Sequence, residues 1–264
     1  MARQRGPVHR LARRVPGVQS LYRELRIQQA LRRHVVEIDA PTATRIRVST
    51  RSIAELRLRP AEKEPWTLDW IRSRLRSGDV LWDVGANVGT YALIAARLEA
   101  VQVVAVEPGP GNYASLCENV RLNGLEESVI PLPVALGEST RVGRLTLSDA
   151  EPGAALHELD VAHEGAAAQA VLVHSIDSLV THVGLPSPTL LKIDVDGAEP
   201  AVLAGAREVL SRPTLRSVIV EVDSPNGDAV RDALTAAGLT LRQTISERDG
   251  VPLPGVWYGI FERA

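Results

Sequence analysis

A chain of 264 residues, of which 45% are hydrophobic, is long enough to bury the core of one large α/β domain. Its 30 basic and 32 acidic side chains give a formal net charge of −2, which excludes a global electrostatic bias toward nucleic acid or an acidic surface. The single cysteine, Cys117, excludes an internal disulfide framework and a cysteine-based zinc cluster, and we expect it to be a buried thiol.

The N-terminal segment is strongly basic. Residues 1–36 carry nine arginines and one acid, Glu24, so this segment contributes +8 and the remainder −10 to the net charge of −2. Apolar residues after Pro16-Gly17 recur as on one face of a helix, at Val18, Tyr22, Leu25, Leu31 and Val35. Such a helix could bind an anionic membrane, an acidic substrate or RNA, or it could pack on the domain with its arginines in solvent.

Two further features of the first half of the chain bear on its organisation. The N-terminus lacks the continuous apolar run of a secretory signal, and no stretch of the sequence reaches the ~18 apolar residues of a membrane span, so we expect a soluble cytoplasmic protein. Residues 43–59 alternate apolar and polar side chains, which predicts one or two short strands. We therefore expect residues 1–60 to form a basic helical arm with short strands, followed by a main domain over residues 61–264.

From residue 79 the pattern alternates between strands and helices. Short β-rich runs are separated by segments with helical spacing, and this order predicts a mostly parallel sheet with helices on both faces. A terminal antiparallel pair is predicted from LTLRQTIS and VWYGIFER, which flank a turn-rich segment. The predicted parallel strands are DVLWDVGA, VQVVAVEP, SVIPLPVALG, TLLKID and SVIVEV.

A long interruption, residues 138–178, separates the third and fourth of these strands. It contains RVGRLTLSD, which predicts a strand, and a stretch at about 150–170 that is rich in alanine and glycine. Because long loops inside compact domains are commonly functional lids or disordered inserts, we expect a flexible insert there.

The strongest local signal is DVGANVGTY, residues 83–91. Gly85 and Gly89 follow a predicted buried strand, where glycine lets the backbone turn tightly and approach a ligand beside the free amides of the next helix. This pattern predicts a nucleotide-binding turn, although neither the dinucleotide G-x-G-x-x-G nor the P-loop pattern is present. Asp83 adds a carboxylate that we expect to face the same crevice and to suit an amine or ammonium group.

Glu107 ends the second predicted strand, 22 positions after Gly85. A carboxylate in this place can accept hydrogen bonds from both hydroxyls of a ribose, although a surface acid at a strand end is the simpler alternative. Together with Asp83, it predicts a site for a nucleoside with a positively charged attachment. S-adenosylmethionine is a ligand of this kind.

Several motifs in one order resemble the FkbM-type methyltransferases, a branch of the S-adenosylmethionine-dependent class I fold: DVGANVGTYALIAA, VVAVEPGPGNYASLCENVRLNG, ALG, TLLKIDVDGAEPAVLAGA and VIVEVD. The resemblance spans about residues 78–223. It implies a Rossmann-like α/β sandwich whose seven-stranded, mostly parallel sheet has a C-terminal antiparallel strand. Residues 1–60 and the insert have no such match and would define the acceptor.

The resemblance also implies roles for individual residues. The methionine part of the cofactor would contact the turn, Glu107 would bind the ribose, and Ala135 would lie by the adenine. Asn123 would close the back of the pocket or simply end its helix. The full set of expected cofactor contacts is Asp83, Gly85, Ala86, Asn87, Gly89, Glu107, Pro108, Asn112 and Ala135.

The fourth strand ends in LLKIDVDGAEP, which contains one of only two lysines in the chain. In a doubly wound sheet its carboxyl end lies across the crevice from strand one. We therefore expect Asp194, Lys192 and Asp196 to be the catalytic residues. Asp194 would face the methyl donor and the acceptor, Lys192 would lie at or just below the crevice, and Glu199 would cap or orient the turn. Asp196 stands where the family has glutamate. The alternative is a structural ion-pair network of Lys192 and the acids.

The resemblance implies an O-methyltransferase that acts on a hydroxyl of a small molecule, such as a glycoside, a polyketide or a related secondary metabolite. Asp194 could remove the hydroxyl proton directly, or His157 or His163 could do so. In another alternative, Asp194, Asp196 and either Glu221 or Asp223 would gather oxygens around Mg²⁺.

Two other functions are consistent with the same fold. One is an RNA methyltransferase anchored by the arginine-rich arm. The net charge of −10 on the residues after position 36 and the aromatic content of 3% make nucleic acid a disfavoured partner. The other is a binding module that holds S-adenosylmethionine without turnover.

Overall fold

The computed structural model describes residues 16–147, 153, 158–161 and 167–263. Its N-terminal part combines helices with one antiparallel strand pair, in which Val35 is the register partner of Arg47. The elements are α1 (Pro16–Arg33), β1 (Val35–Glu37), β2 (Arg45–Arg47), α2 (Arg51–Arg57), α3 (Pro60–Lys63) and α4 (Pro65–Arg74).

Helix α1 packs on the domain through a face that matches the predicted apolar face only in part. Ile27 is buried and Leu31 packs against the core, whereas Leu21 and Leu25 are 62% and 60% exposed. The sequence pattern puts Leu25 on the buried face, and this prediction is wrong because Ile27 and Leu31, four positions apart, form the contact stripe. The side chain of Val18 lies outside the described part.

The prediction of strands over residues 43–59 is only partly right. Strand β2 is present, but the second half of the segment is helix α2. The Thr50 hydroxyl accepts a hydrogen bond of 3.2 Å from the Ile53 amide and caps this helix. Ile53, Ala54 and Arg57 are buried together, because a helix brings residues at this spacing to one face.

The remainder of the chain alternates strands and helices before it ends in a reversed strand. Its elements are β3 (Val80–Val84), α5 (Thr90–Leu98), β4 (Gln102–Val106), α6 (Pro110–Asn123), β5 (Val129–Leu132), β6 (Ala135–Leu136), β7 (Arg141–Leu147), β8 (Glu158–Leu159), β9 (Ala167–His174), α7 (Ile176–Thr181), β10 (Leu190–Ile193), α8 (Glu199–Ala204), α9 (Arg207–Ser211), β11 (Ser217–Asp223), a 3₁₀ turn (Ser224–Asn226), α10 (Gly227–Ala236), β12 (Leu239–Ile245), β13 (Glu247–Arg248), β14 (Val251–Pro252) and β15 (Val256–Arg263).

The central sheet has seven strands in the order β12-β15-β11-β10-β3-β4-β5. Strand β15 is antiparallel to both of its neighbours, while β3, β4, β5, β10 and β11 are parallel to one another. This confirms the predicted Rossmann-like, mostly parallel sheet with a C-terminal antiparallel strand. The carboxyl ends of β3, β4 and β10 meet at one edge, which is where ligands bind in open α/β sheets.

The sheet is buried on both faces. Successive side chains of a strand point to opposite sides, so Leu81 joins one hydrophobic cluster and Trp82 joins the other. The first cluster includes buried residues of the N-terminal segment, among them Ile46 and Ile53, packed with the helices that follow. Residues of the segment before residue 60 therefore share a core with the sheet. The division of the chain at residue 60 stays a prediction.

A second, smaller sheet forms from part of the interruption, in the order β6-β9-β7-β8. Strand β7 confirms the strand predicted in RVGRLTLSD. The third predicted strand, SVIPLPVALG, is divided: β5 belongs to the central sheet and β6 to the second sheet, with Pro133 between them, which has no amide hydrogen for a sheet ladder. Much of the predicted flexible insert lies outside the described residues, and its flexibility stays a prediction.

Two other expectations can be compared with the structure. Cys117 is partly exposed on α6 and not fully buried, because it lies at the border of the helix face that carries the buried residues Leu116 and Val120. Within the described ranges, no helix has the length and apolar character needed to cross a membrane.

Candidate active site

A cavity of about 970 Å³, including its open mouth, lies at the carboxyl ends of β3, β4 and β10. The structure brings together many of the sequence-predicted site residues along its wall: Gly85, Asn87, Glu107, Pro108, Asn112, Ala135, Asp194 and Asp196. Four other predicted residues are not part of the lining: Asp83, Ala86, Gly89 and Lys192. Three charged residues that were not predicted as cofactor or catalytic residues also line it: Arg57, Lys63 and Glu221.

The turn after β3 requires glycine at its first position. Gly85 has φ +80°, and a Cβ there would lie 1.8 Å from the backbone oxygen of Asp194. The Gly85 amide donates a hydrogen bond of 3.0 Å to the Val106 carbonyl, so the ends of three strands converge at this turn. Gly89, at φ +89°, precedes α5 and lies against Leu116, where a Cβ would come within 2.5 Å of a side-chain carbon. These two glycines allow the tight turn that the sequence motif predicts, and the close contacts that they permit are with Asp194 and Leu116.

Glu107 connects this turn to the end of β4. One carboxylate oxygen accepts a hydrogen bond of 2.8 Å from the Asn87 amide, and the other accepts one of 2.8 Å from the Gly109 amide. Burial raises the pKa of Glu107 to about 7, although these hydrogen bonds act in the opposite direction. The Asn112 side chain also bonds this carboxylate. Because a carboxylate has about four lone-pair sites, it can still accept a hydrogen bond from a ligand such as a ribose hydroxyl.

The wall beyond Glu107 is closed by polar contacts from other parts of the chain. The Asn112 side-chain oxygen accepts a hydrogen bond of 2.7 Å from the Gly153 amide, and Gln169 donates to the Pro108 carbonyl at 3.4 Å. Asn112 and Ala135 are buried. The second sheet and residue 153 thus border the part of the cavity where the adenosine was expected.

Asn123, considered as a residue at the back of the pocket, ends helix α6 and contacts strand β2 instead. Its side chain pairs with the backbone of Arg45, accepting at 3.0 Å and donating at 2.6 Å, and Asn119 accepts from the Arg47 amide at 2.7 Å. These asparagines of α6 bind strand β2 as a neighbouring strand would. Asn123 therefore attaches the N-terminal strand pair to the domain and does not line the cavity.

Lys192 lies behind the cavity wall between two carboxylates. Its ammonium nitrogen is 3.1 Å from Asp83 Oδ1 and 2.9 Å from Asp194 Oδ2, and it lies 5.3 Å from the centroid of the Tyr91 ring. The sequence places Asp83 in the crevice, whereas the structure buries its side chain completely, because Asp83 and Lys192 are register partners on neighbouring strands. Burial alone lowers the pKa of Lys192, but the charges of Asp194, Asp83 and Glu64 outweigh it and raise the pKa overall.

Asp194 joins this ion pair to the cavity. Its side chain is 24% exposed and lines the wall. Burial raises its pKa, but the stronger combined effect of cations, with Lys192 first and Lys63 next, lowers the pKa to about 2. Asp194 is therefore a permanent negative charge at neutral pH. A carboxylate with so low a pKa is also a weak proton acceptor.

Glu221 lines the same cavity, but its pKa is shifted in the opposite direction from that of Asp194. It is the register partner of Tyr258 on β15, and the Tyr258 hydroxyl donates a hydrogen bond to its carboxylate. Burial raises the pKa of Glu221 to about 8, the charge of Asp194 adds to this rise, and the tyrosine hydrogen bond opposes it. The sequence indicated Glu221 only as one possible magnesium ligand.

The turn after β10 is held by Glu199, which is almost completely buried. Its carboxylate accepts hydrogen bonds from the Gly197 amide at 3.3 Å and from the Asn226 side chain at 2.8 Å. Gly197 has φ +79°, so the chain can reverse here beside Asp223. Among the residues that the structure describes, no group of three or more histidine, cysteine, aspartate or glutamate side chains is arranged to hold a metal ion.

Two cations reach the cavity from the N-terminal segment. Arg57 ends α2 and is 7% exposed, and Lys63 ends α3 with its ammonium 2.5 Å from Glu64 Oε1. The sequence reasoning missed Arg57 because residues 50–57 were interpreted as a strand. In a helix, Arg57 lies four positions after Ile53 and therefore on the same buried face. A buried face is an unusual position for arginine. His157 and His163, considered as bases, lie outside the described residues.

The chain is similar in sequence to known methyltransferases. A family model described as the methyltransferase FkbM domain matches residues 83–247. The hexuronic acid methyltransferase AglP of Haloferax volcanii is 32% identical over 206 residues, which cover 77% of this chain and 81% of that protein. The 31-O-demethyl-FK506 methyltransferase FkbM of Streptomyces tacrolimicus is 30% identical over 187 residues, or 58% of this chain and 68% of that protein.

Among solved structures, the methyltransferase FkbM of Methylobacillus flagellatus KT superposes with a TM-score of 0.49 at 18% identity, over 71% of this chain and 45% of that chain. The family model begins at Asp83, so it includes the cavity residues from Gly85 to Glu221 and excludes Arg57 and Lys63.

Proposed function

The chain belongs to the FkbM methyltransferase family and is a methyltransferase, and we propose that it methylates a hydroxyl group of a small molecule with S-adenosylmethionine as the donor. The observation that carries this proposal is the shared cavity. A nucleoside-type site at Gly85 and Glu107 lies beside an acidic wall formed by Asp194 and Glu221.

The residues on the donor side fit S-adenosylmethionine. Glu107 keeps acceptor capacity for a ribose hydroxyl, and Gly85 lets the turn after β3 pack against the Asp194 backbone at the cavity wall. Pro108, Asn112 and Ala135 would contact the adenosine. When bound, this donor supplies an electrophilic methyl group on a positively charged sulfonium.

Asp194 matches the charge of such a donor. Its carboxylate stays ionised at neutral pH because Lys192 holds it, and it is the part of the ion-pair network that faces the cavity. We assign it the role of attracting and aligning the cationic donor. Asp83 and Lys192 are then positioning residues, since they fix the place and charge of Asp194 from behind the wall. Asp196 lines the cavity next to them.

Glu221 is the better candidate for the base. An aliphatic hydroxyl is a weak nucleophile until its proton is removed, and general base catalysis is most efficient when the pKa of the base lies near the working pH. The pKa of Glu221 is raised to about 8, whereas that of Asp194 is lowered to about 2. We therefore propose that Glu221, held by Tyr258, accepts the acceptor proton in place of Asp194.

The acceptor class is supported by the relatives and by the position of these side chains. One relative is named for a hexuronic acid and another for 31-O-demethyl-FK506. We propose a hydroxylated acceptor such as a glycoside or a polyketide, bound between Glu221 and the N-terminal segment. Magnesium is not part of this proposal.

The test is a methyl-transfer assay with purified full-length chain, S-adenosylmethionine and a panel of sugars, sugar acids and polyketide alcohols. Mass spectrometry should show a product heavier by one methylene together with S-adenosylhomocysteine. The matched control is each active acceptor with its hydroxyl already methylated, which should give no product. Methylation of that blocked acceptor at an amine or carbon would contradict transfer to oxygen.

A further inference from the structure

Arg57 is a buried cation that the proposed reaction does not use. Its side chain belongs to the wall of the reaction cavity, and the residue is 7% exposed. Its Nε has no hydrogen-bond partner. Within the described part of the chain, no ion pair or hydrogen bond neutralises this guanidinium.

The other cations around the cavity have partners. Lys192 lies between Asp83 and Asp194, and Lys63 forms a 2.5 Å ion pair with Glu64. Arg57 differs from them although it faces the same space. The difference matters because arginine stays protonated in proteins and cannot relieve its burial by losing charge.

Arg57 shares the cavity wall with Glu107 and Asp194. Burial is the largest influence on the pKa of both carboxyl groups, and among the smaller influences the charge of Arg57 lowers the pKa of both. The guanidinium therefore lies within electrostatic range of the carboxylate proposed to bind the ribose and of the one proposed to align the donor. A ligand that fills the cavity would pass beside it.

Burial of an unpaired charge is strongly unfavourable unless a ligand neutralises it. A guanidinium offers parallel N–H donors whose spacing matches the two oxygens of a carboxylate. We propose that Arg57 binds a carboxylate of a substrate inside the reaction cavity. The inference deepens the proposed function and rests on it. Two sources of the carboxylate fit the cavity: the amino-acid end of the donor, and a carboxylate on the acceptor itself.

The donor source is tested by calorimetric titration of wild type and Arg57→Gln with two ligands. S-adenosylhomocysteine carries the amino-acid carboxylate, and 5′-methylthioadenosine lacks it. If the donor is the source, the variant should bind S-adenosylhomocysteine at least about tenfold more weakly, as expected for the loss of charged hydrogen bonds, and bind methylthioadenosine as wild type does.

The acceptor source is tested with both proteins saturated with S-adenosylhomocysteine. D-glucuronate is the probe and D-glucose its uncharged match. If the acceptor carries the carboxylate, wild type should bind glucuronate in preference to glucose, and Arg57→Gln should lose that preference. A positive result in either arm supports the proposal, and unchanged behaviour of the variant in both arms overturns it. Failure of wild type to bind S-adenosylhomocysteine would overturn the proposed donor as well, so the two failures are distinguishable.

The matched control is Arg51→Gln on the same helix, whose side chain is half-exposed and pairs with Glu24 and Glu55 away from the cavity wall. Arg51→Gln should leave the affinities for S-adenosylhomocysteine, methylthioadenosine, glucuronate and glucose unchanged. Arg57→Lys keeps the charge but lacks the parallel N–H donors of the guanidinium, so its ligand affinity should fall between those of wild type and Arg57→Gln.

The thermal unfolding temperature shows whether Arg57 serves to bind a ligand or to stabilise the fold. Arg57→Gln without ligand should unfold at a temperature close to that of wild type, because removal of a buried charge without an ion-pair partner offsets the loss of its favourable effect on Glu107 and Asp194. A lower unfolding temperature, with both nucleosides weakened alike, would show a purely structural role and contradict the proposal.

Discussion

Lys192 and Asp83 are register partners on adjacent parallel strands, and the lysine ammonium lies 3.1 Å from the completely buried aspartate. The same ammonium reaches Asp194 at 2.9 Å on the cavity wall. One of only two lysines in the chain thus connects a hidden charge to a charge that a ligand can contact. The sequence left open whether this lysine is catalytic or structural. Its position favours a role in holding the Asp194 carboxylate in place.

Replacement of Lys192 by methionine should therefore destabilise the fold. The change leaves Asp83 buried without a counter-charge, which typically costs about 3–5 kcal/mol in the free energy of unfolding. Urea unfolding of Lys192→Met and of the double variant Lys192→Met with Asp83→Asn measures this. The double variant should recover much of the loss because it buries no charge at this position. A single variant as stable as wild type would contradict the ion-pair account.

Gly85 should tolerate no side chain. In Gly85→Ala the new Cβ would meet the Asp194 backbone oxygen at 1.8 Å, so the ends of β3 and β10 must separate. We expect a loss of about 3 kcal/mol in stability from overpacking and the positive φ, together with loss of S-adenosylhomocysteine binding. Gly78→Ala is the matched control, since Gly78 has φ +84° and a Cβ added there would meet no atom within 4 Å. It should cost about 1 kcal/mol and leave binding unchanged.

Binding of the nucleoside should depend on the ionisation of Glu107. The ribose hydroxyls donate to the carboxylate, so a proton on it competes with the ligand. With the pKa of Glu107 raised by burial to about 7, the affinity for S-adenosylhomocysteine should be constant above that pH and fall by about tenfold per unit below it. Calorimetry from pH 5 to 9 measures the profile. In Glu107→Gln the affinity should be lower and lose this dependence, and a wild-type profile that is flat across pH 7 would contradict the assignment.

Turnover should depend on Glu221. Glu221→Gln should lower kcat by roughly 10²–10⁴-fold, the usual range for loss of a general base, while S-adenosylhomocysteine binding stays near wild type. Wild-type kcat should fall as the pH drops below about 8, because the protonated carboxyl cannot accept a proton. Equal kcat in wild type and variant would show that the base lies elsewhere.

Two neighbours of Glu221 should move that pH profile in opposite directions. The Tyr258 hydrogen bond lowers the pKa of Glu221, so Tyr258→Phe should shift the acidic limb to higher pH. The Asp194 charge raises the same pKa, so Asp194→Asn should shift the limb to lower pH. Rates across pH for each variant check both signs. Two shifts in one direction would contradict the proposed electrostatics.

The sequence predicted those parts of the molecule that depend on local pattern. Alternating strands and helices, the glycines at 85 and 89 and the acid at 107 led to the sheet, the turn and the cavity, because each is set by neighbours close in the chain. The family assignment, predicted from the same motifs, is confirmed by the match over residues 83–247.

What the sequence missed depends on contacts between distant residues. The pairing of Lys192 with Asp83 follows from the register of two strands that are 109 positions apart at these residues, and no local pattern encodes that register. Arg57 was missed because residues 50–57 fit a strand as well as a helix until the Thr50 cap is seen. The pKa of Glu221 depends on Tyr258, which only the reversed strand brings into contact.

The most direct measurement is a calorimetric titration of wild type and Glu107→Ala with S-adenosylhomocysteine at pH 8. We expect a wild-type Kd in the micromolar range or tighter, and at least about tenfold weaker binding by the variant, since the ribose hydroxyls lose their charged acceptor. Absence of binding by folded wild type, or equal binding by both proteins, would contradict the assignment of this cavity to the methyl donor.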